Sequence, residues 1–251
     1  MKERYPGVFF SQFTGAELVA DKWNLSREDL DEFALESHQK AANATESKYF
    51  DREILPVEGK NAEGINELVL ADEGIRFDAS LDKLAGLKPV TDGGVITAGN
   101  ASQITDGAAA VMICNDAGLK KIQSNPRAEI VSISVVGDDP VFMLTGPIPA
   151  SKKALEVAGL SIDDMDLYEV NEAFAPVPLA WAHDLEADKS KLNVNGGAMA
   201  LGHPLGATGA KLMTTMLHEL ERRNGNYALQ AICEGGGTAN ATIIKLSLIH
   251  I

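Results

Sequence analysis

The stretch Asn193-Val-Asn-Gly-Gly-Ala-Met-Ala-Leu-Gly-His203-Pro-Leu-Gly-Ala-Thr208-Gly-Ala210 decides how this chain is read. It sets one histidine in a bed of glycine and ends where a helix begins. Glycine loses more conformational freedom on folding than any other residue, so this density implies a tight backbone route or a close ligand. The segment from Thr208 to Arg223 then carries Leu212, Met213, Met216, Leu217 and Leu220 on one helical face. A helix N-terminus presents free N–H groups and positive partial charge. It therefore disfavours an imidazolium beside it and keeps His203 neutral, as a general base must be. A loop histidine bonded only to backbone is the bland alternative.

Outward from this stretch lie two more segments with chemistry in them. Downstream, Cys233-Glu-Gly-Gly-Gly237 follows the apolar run Tyr227-Ala-Leu-Gln-Ala-Ile. A thiol at a strand end, beside backbone N–H groups that a ligand can approach, suits a nucleophile or an acid/base. A buried cysteine before a tight turn is the other reading. Upstream, Asn171-Glu-Ala-Phe-Ala lies where a strand gives way to a helix. Its amide can cap that helix, orient a water or polarise a carbonyl oxygen.

The intervening pattern is layered α/β. Strands are expected at 128–136, 166–170, 191–195, 227–233 and 241–246, and helices at 148–158, 174–187 and 208–223. Gly159 reads as a C-cap. In the first half, residues 15–47 read as helical, with Ser26 as a cap followed by early acids. A short strand is expected at 53–57 and loop over 58–80. The apolar run at 106–113 reads as a buried helix or strand. Cys114, at the end of that run, reads as a buried structural thiol. His38, His183 and His218 read as solvated helix-face residues. No His, Cys or carboxylate pair has metal-site spacing, so no metal is expected.

Composition narrows the function classes. The 251 residues are 45% hydrophobic and 23% charged, ordinary for a globular protein, with a net charge of −14. No Lys/Arg cluster stands out, which argues against nucleic acid as a partner. An anionic substrate would need a local basic site against the overall field. Two cysteines suggest no disulfide framework and fit a reducing, cytoplasmic setting. No stretch approaches the roughly 20 apolar residues of a membrane span, so no membrane is expected as a partner.

At these motifs the chain resembles the thiolase family of acyl-CoA acyltransferases. The resemblance rests on Asn171-Glu-Ala-Phe-Ala, the long Asn195–Gly209 glycine-histidine motif and Cys233-Glu-Gly-Gly-Gly. Gly99-Asn-Ala-Ser-Gln-Ile-Thr-Asp-Gly-Ala-Ala also looks like the family's coenzyme A loop. It implies a thiolase-like layered α/β fold of two similar halves, with a complete C-terminal half and an inserted loop domain. Residues 1–104 would be the coenzyme A-binding loop domain, 105–126 the end of the N-terminal half, and 127–246 the C-terminal half. Residues 247–251 follow a finished strand and read as a tail foreign to the fold.

By the same resemblance the reaction is acyl transfer between coenzyme A thioesters, with Claisen condensation or its reverse. His203 would be the base and Cys233 the proton shuttle. Asn171 would hold a water at an oxyanion, and the Gly235 N–H would serve a second oxyanion hole. Ser102 and Arg76 would meet coenzyme A. Coenzyme A and acyl-CoA enter as substrates, with no resident cofactor, and the longer protein would be a homodimer or homotetramer. The family's acyl-accepting cysteine has no counterpart here, since neither Cys114 nor Cys233 occupies its motif. This implies a fragment without turnover of its own. Gln103, where a glycine is frequent, departs from the pattern, as do Lys83 and Ser11. Two alternatives are a ketoacyl-synthase-type condensing enzyme, which generally uses two histidines, and a non-catalytic acyl-CoA or lipid-binding protein.

Overall fold

A computed structural model describes residues 3–60 and 63–247. The first segment opens with α1 (Gln12–Lys22) and α2 (Arg27–Glu46). Ser26 starts α2 through a capping box: its hydroxyl accepts from the Asp29 N–H while the Asp29 carboxylate accepts from the Ser26 N–H. A hairpin of β1 (Val57–Lys60) and β2 (Asn66–Val69) follows, then the short α3 (Leu81–Ala85) and α4 (Asp116–Ile122). The second segment runs β3 (Ala128–Gly137), α5 (Pro147–Ala158), β4 (Leu167–Val170), α6 (Pro176–Asp184), α7 (Ala198–Leu201), α8 (Thr208–Arg223), β5 (Tyr227–Cys233) and β6 (Thr238–Leu246).

The main sheet has the order β3-β6-β5-β4, with β4 parallel to β5 and the other pairs antiparallel. Strand alternation sends Tyr168, Val170, Leu229 and Ala231 to one face, where they join α1, α2, α5 and α6 in the large core. Trp181 of α6 anchors that core: its ring meets Tyr168 with centroids 5.2 Å apart, and its Nε1 donates to the Ser151 hydroxyl at 2.8 Å. Leu167, Ala228 and Ile244 face the other way, onto Met216 and Leu220 of α8. The sheet is thus sandwiched between α5/α6 and α8, as the alternation of strands and helices predicts. On β3 the inward positions are serines, whose hydroxyls donate to the Ala154 and Ala150 carbonyls of α5.

Several sequence expectations need correction. The segment over 58–80 contains the β1–β2 hairpin; its strands are largely exposed, so no apolar period betrays them. Residues 191–195 form no strand. Asn193 takes a left-handed φ of 43°, and its side-chain amide stands in for the strand. Oδ1 accepts from the Val170 N–H and Nδ2 donates to the Val170 carbonyl, each at 2.9 Å. The apolar run at 106–113 is irregular and exposed, and Cys114 is exposed with it. Apolar residues are buried only where another surface faces them. His38 is buried rather than solvated, its Nδ1 accepting from the Arg76 N–H at 3.1 Å. The His218 side chain is only 11% exposed. The tail expected at 247–251 lies outside the described residues except for Ser247. Among the described residues no helix is long and apolar enough to cross a membrane.

Candidate active site

The candidate residues gather at the C-terminal end of the parallel pair β4 and β5, where open α/β sheets bind their ligands. Asn171 extends β4 by one step and donates its backbone N–H to the Ala231 carbonyl at 3.0 Å. Val170 is the register partner of Ala231, which places Asn171 beside Ile232, one residue before Cys233 at the end of β5. The Asn171 side chain is buried, and neither its Oδ1 nor its Nδ2 has a protein partner. It does not cap α6, which has no side-chain cap.

His203 reaches this end from the turn between α7 and α8. Gly202 precedes it at φ 82°, and a β-carbon there would lie 2.2 Å from the Thr105 hydroxyl oxygen, so only glycine lets the two loops touch. The His203 N–H donates to the Gln103 carbonyl at 3.2 Å. Its Nδ1 lies 2.7 Å from the Thr208 hydroxyl, which itself donates to the Pro204 carbonyl. A hydroxyl has one proton to give. With that proton on Pro204, Nδ1–H donates to Thr208 and Nε2 keeps the free lone pair. Burial holds the His203 imidazolium below its usual range, so the ring is a neutral base near pH 7. The first turn of α8 rests on β5, a β-carbon at Gly209 falling 3.5 Å from Ile232 Cδ1.

Cys233 ends β5, partly exposed as a residue, and burial pushes its thiol up to about 12. That thiol holds its proton at neutral pH and is a poor resting nucleophile. It suits a group that hands a proton on. Gly235 is exposed in the following turn, which Glu234 pins by accepting from the Asn240 amide at 2.6 Å and the Thr238 hydroxyl at 3.1 Å.

Of the two predicted coenzyme A residues, Ser102 meets this site. The Ser102 N–H donates to the Ala173 carbonyl at 3.0 Å, two residues past Asn171. Arg76 is exposed; its N–H donates to His38 Nδ1 and its carbonyl accepts from the Ala79 N–H at 3.1 Å. Gln103 acts as a hub: its amide donates to the Gly74 carbonyl at 2.8 Å and the Met199 carbonyl at 2.7 Å, while its own carbonyl takes the His203 N–H. Sequence reasoning marked Gln103 only as a departure. It also passed over Thr208, although a hydroxyl opening the helix after His203 was the available signal. Glu172, beside Asn171 in the same motif, is buried and accepts from Ser37, Asn193 and Met199. Among the described residues no group of three or more His, Cys, Asp or Glu could hold a metal ion. A cleft of about 400 Å³ opens beside His203, lined by Thr105–Ala109 and Pro204–Ala207.

Residues 8–117 match the thiolase N-terminal domain and residues 124–246 the thiolase C-terminal domain. The steroid 3-ketoacyl-CoA thiolase FadA6 of Mycobacterium tuberculosis is 54% identical over 242 residues, covering 96% of this chain and 58% of its own length. The human mitochondrial 3-ketoacyl-CoA thiolase is 47% identical over 231 residues. A crystal structure of the human mitochondrial enzyme superposes with a TM-score of 0.90 at 46% identity, covering 93% of this chain and 59% of that one. A crystal structure of the same enzyme in complex with CoA gives 0.86. The layered α/β architecture is therefore the thiolase one. The chain spans about three-fifths of the length of the relatives it matches.

Proposed function

Because this chain belongs to the thiolase family, we propose that it carries the acid–base and oxyanion groups of a thiolase-type acyltransferase, whose nucleophilic cysteine lies outside these 251 residues. The observation that carries the reading is a pairing at one strand end. His203 is tied through Nδ1 to Thr208, which leaves Nε2 free, and the Asn171 amide is buried beside the same strands without a protein partner. Its relatives are named as 3-ketoacyl-CoA thiolases and an acetyl-CoA acetyltransferase, which favours this reading over a ketoacyl-synthase or a passive acyl-CoA binder.

In the thiolysis direction His203 Nε2 takes the proton of the external cysteine, whose sulfur attacks the 3-keto carbon of the acyl-CoA. The C2–C3 bond breaks, and its electron pair leaves as the acetyl-CoA enolate. The oxygen of that enolate is held by His203 and by a water on Asn171. Cys233 gives its proton to C2. It then recovers one from the coenzyme A thiol, whose sulfur attacks the acyl-cysteine; the C–S bond to the cysteine breaks, the shortened acyl-CoA leaves, and the cysteine thiolate takes back its proton from His203. The oxyanion of that second step faces the Gly235 N–H. Condensation is the same sequence reversed. Two thiols suit this chemistry, because one is acylated while the other moves protons.

Residues 1–104 form the coenzyme A-binding part of this proposal, with Ser102 on the pantetheine arm and Arg76 on the nucleotide. Residues 105–126 and 127–246 belong to the two thiolase halves. Coenzyme A and acyl-CoA are substrates, without a resident cofactor. The longer protein is a homodimer or homotetramer in a reducing, cytoplasmic setting. Acetoacetyl-CoA cleavage tests the proposal. The 251-residue chain, purified free of other thiolases, should show no turnover, and turnover should appear when the nucleophile-bearing part of the protein is joined to it. Robust cleavage by the chain alone overturns the missing-nucleophile assignment. Near-normal rates after His203→Ala in the joined protein overturn the role of His203.

A further inference from the structure

Six buried side-chain atoms among the described residues have no protein hydrogen-bond partner, and they belong to four residues: Glu53, Glu169, Asn171 and Gln230. Three of the four share one face of the sheet. Glu169 and Asn171 are two apart on β4 and its extension, so they point the same way. Gln230 of β5 is the register partner of Glu169. The same face continues inward as the apolar Leu167 and Ala228 under Met216 and Leu220. Helix α8 roofs the face, a β-carbon at Gly209 falling 3.8 Å from Gln230 Nε2. Glu53 is bonded to Thr215 of α8 and lies 3.6 Å from His218 Nδ1.

Glu169, Asn171 and Gln230 are each at most 3% exposed. Native proteins pair nearly all buried polar groups, and water serves where protein groups do not. The three side chains offer donors and acceptors in one walled strip, which is the setting that a bridging water requires. Lys211, Glu53, Glu172 and Glu219 are the charged groups around Glu169, and none of them bonds to it.

We propose that the strip between α8 and the β4–β5 pair is a buried hydration site in which water bridges Glu169, Gln230 and Asn171, with Glu169 as a positioning residue that fixes the water carried by Asn171. Burial holds the Glu169 carboxyl well above the ordinary carboxylate range. That favours the neutral carboxyl, which both donates to and accepts from water. The catalytic meaning of that water rests on the thiolase-type reading of Asn171; its presence does not.

The test is a crystal structure of the 251-residue chain at a resolution that places ordered solvent, beside those of Glu169→Gln and Glu169→Leu. Solvent is expected within about 3 Å of both the Glu169 and Asn171 side chains. It should persist in Glu169→Gln, which can still donate and accept, and be lost or displaced in Glu169→Leu with the Asn171 amide turned. If Glu169→Leu does not fold, the native and Glu169→Gln structures decide. A cross-relaxation signal in solution between the Asn171 amide protons and long-lived water gives an independent readout. Direct bonding of Asn171 to Glu169 or other protein groups, or a cation held by oxygens alone, overturns the proposal. Turnover enters none of these readouts. A dry strip sinks this inference alone, whereas a hydrated strip in a joined protein indifferent to His203→Ala sinks the catalytic reading alone.

Discussion

A β-carbon added to Gly197 would lie 2.2 Å from Cδ of Glu172, so the space beside this glycine is filled by a buried carboxyl group. That group accepts from the Ser37 hydroxyl at 2.7 Å, the Asn193 amide at 2.9 Å and the Met199 N–H at 3.1 Å. It joins α2, the end of β4 and the glycine-rich loop that delivers His203. The clasp cannot swing aside without breaking those bonds. Gly197→Ala should therefore cost about 2–3 kcal/mol of stability. Glu172→Ala, which strands three buried donors, should cost at least about 3 kcal/mol. Chemical denaturation of the two variants checks both values.

The tautomer of His203 is a second expected outcome. With the Thr208 hydroxyl proton given to the Pro204 carbonyl, the ring proton belongs on Nδ1 and the lone pair on Nε2. Nitrogen chemical shifts of the histidine rings should show an unprotonated Nε2 at neutral pH. Because burial lowers the folded value, the ring should titrate below 6.5. Thr208→Val should mix the two tautomers. A ring protonated on Nε2 in the native chain would count against its role as base.

The two cysteines should differ in reactivity. Cys114 is exposed, while burial pushes the Cys233 thiol up to about 12. Since the thiolate is the reactive form, iodoacetamide near pH 8 should label Cys114 well before Cys233. Mass spectrometry of the labelled peptides reads the order directly. Equal labelling would contradict the proton-holding state assigned to Cys233.

Stability should fall with pH through the Glu53 titration. Burial raises this carboxyl from 4.5 to about 7 against the opposing pull of Thr215 and Lys211. The folded chain thus binds its proton more tightly than the unfolded chain does. That contribution is complete below about 4.5 and is lost as pH rises through about 7. The loss is on the order of 3 kcal/mol. Glu53→Gln should flatten the profile between those pH values, as measured by denaturation at a series of pH values.

Much of this was legible in the chain. The 208–223 helix appears with the bounds that its apolar stripe implies, because Leu212, Met216 and Leu220 recur at a spacing that only a helix can bury on one side. Ser26 and Gly159 mark helix ends by local chemistry, the one through a capping box and the other through a φ of 67°. Local signals of this kind act within a few residues and need no tertiary context. The histidine, the cysteine and the Asn171 motif were visible for the same reason: each sits in a segment whose glycines or strand–helix boundary can be read in place.

What tertiary structure decided was which of those residues meet and what surrounds them. Asn193 looks like a strand residue, yet its side chain replaces a strand partner for Val170. The run ending at Cys114 looks like core, yet nothing in the described residues buries it. Glu169 and Gln230 are polar letters in apolar strands until the parallel register pairs them beneath α8. Sequence alone determined the family, the main-sheet strands, the principal helices and the reactive groups, because backbone preference and apolar period are properties of neighbours along the chain. The protonation states of His203 and Cys233, the tautomer that frees Nε2 and the unpartnered amide of Asn171 depend on burial and on bonds between distant segments, and those exist only once the chain has folded.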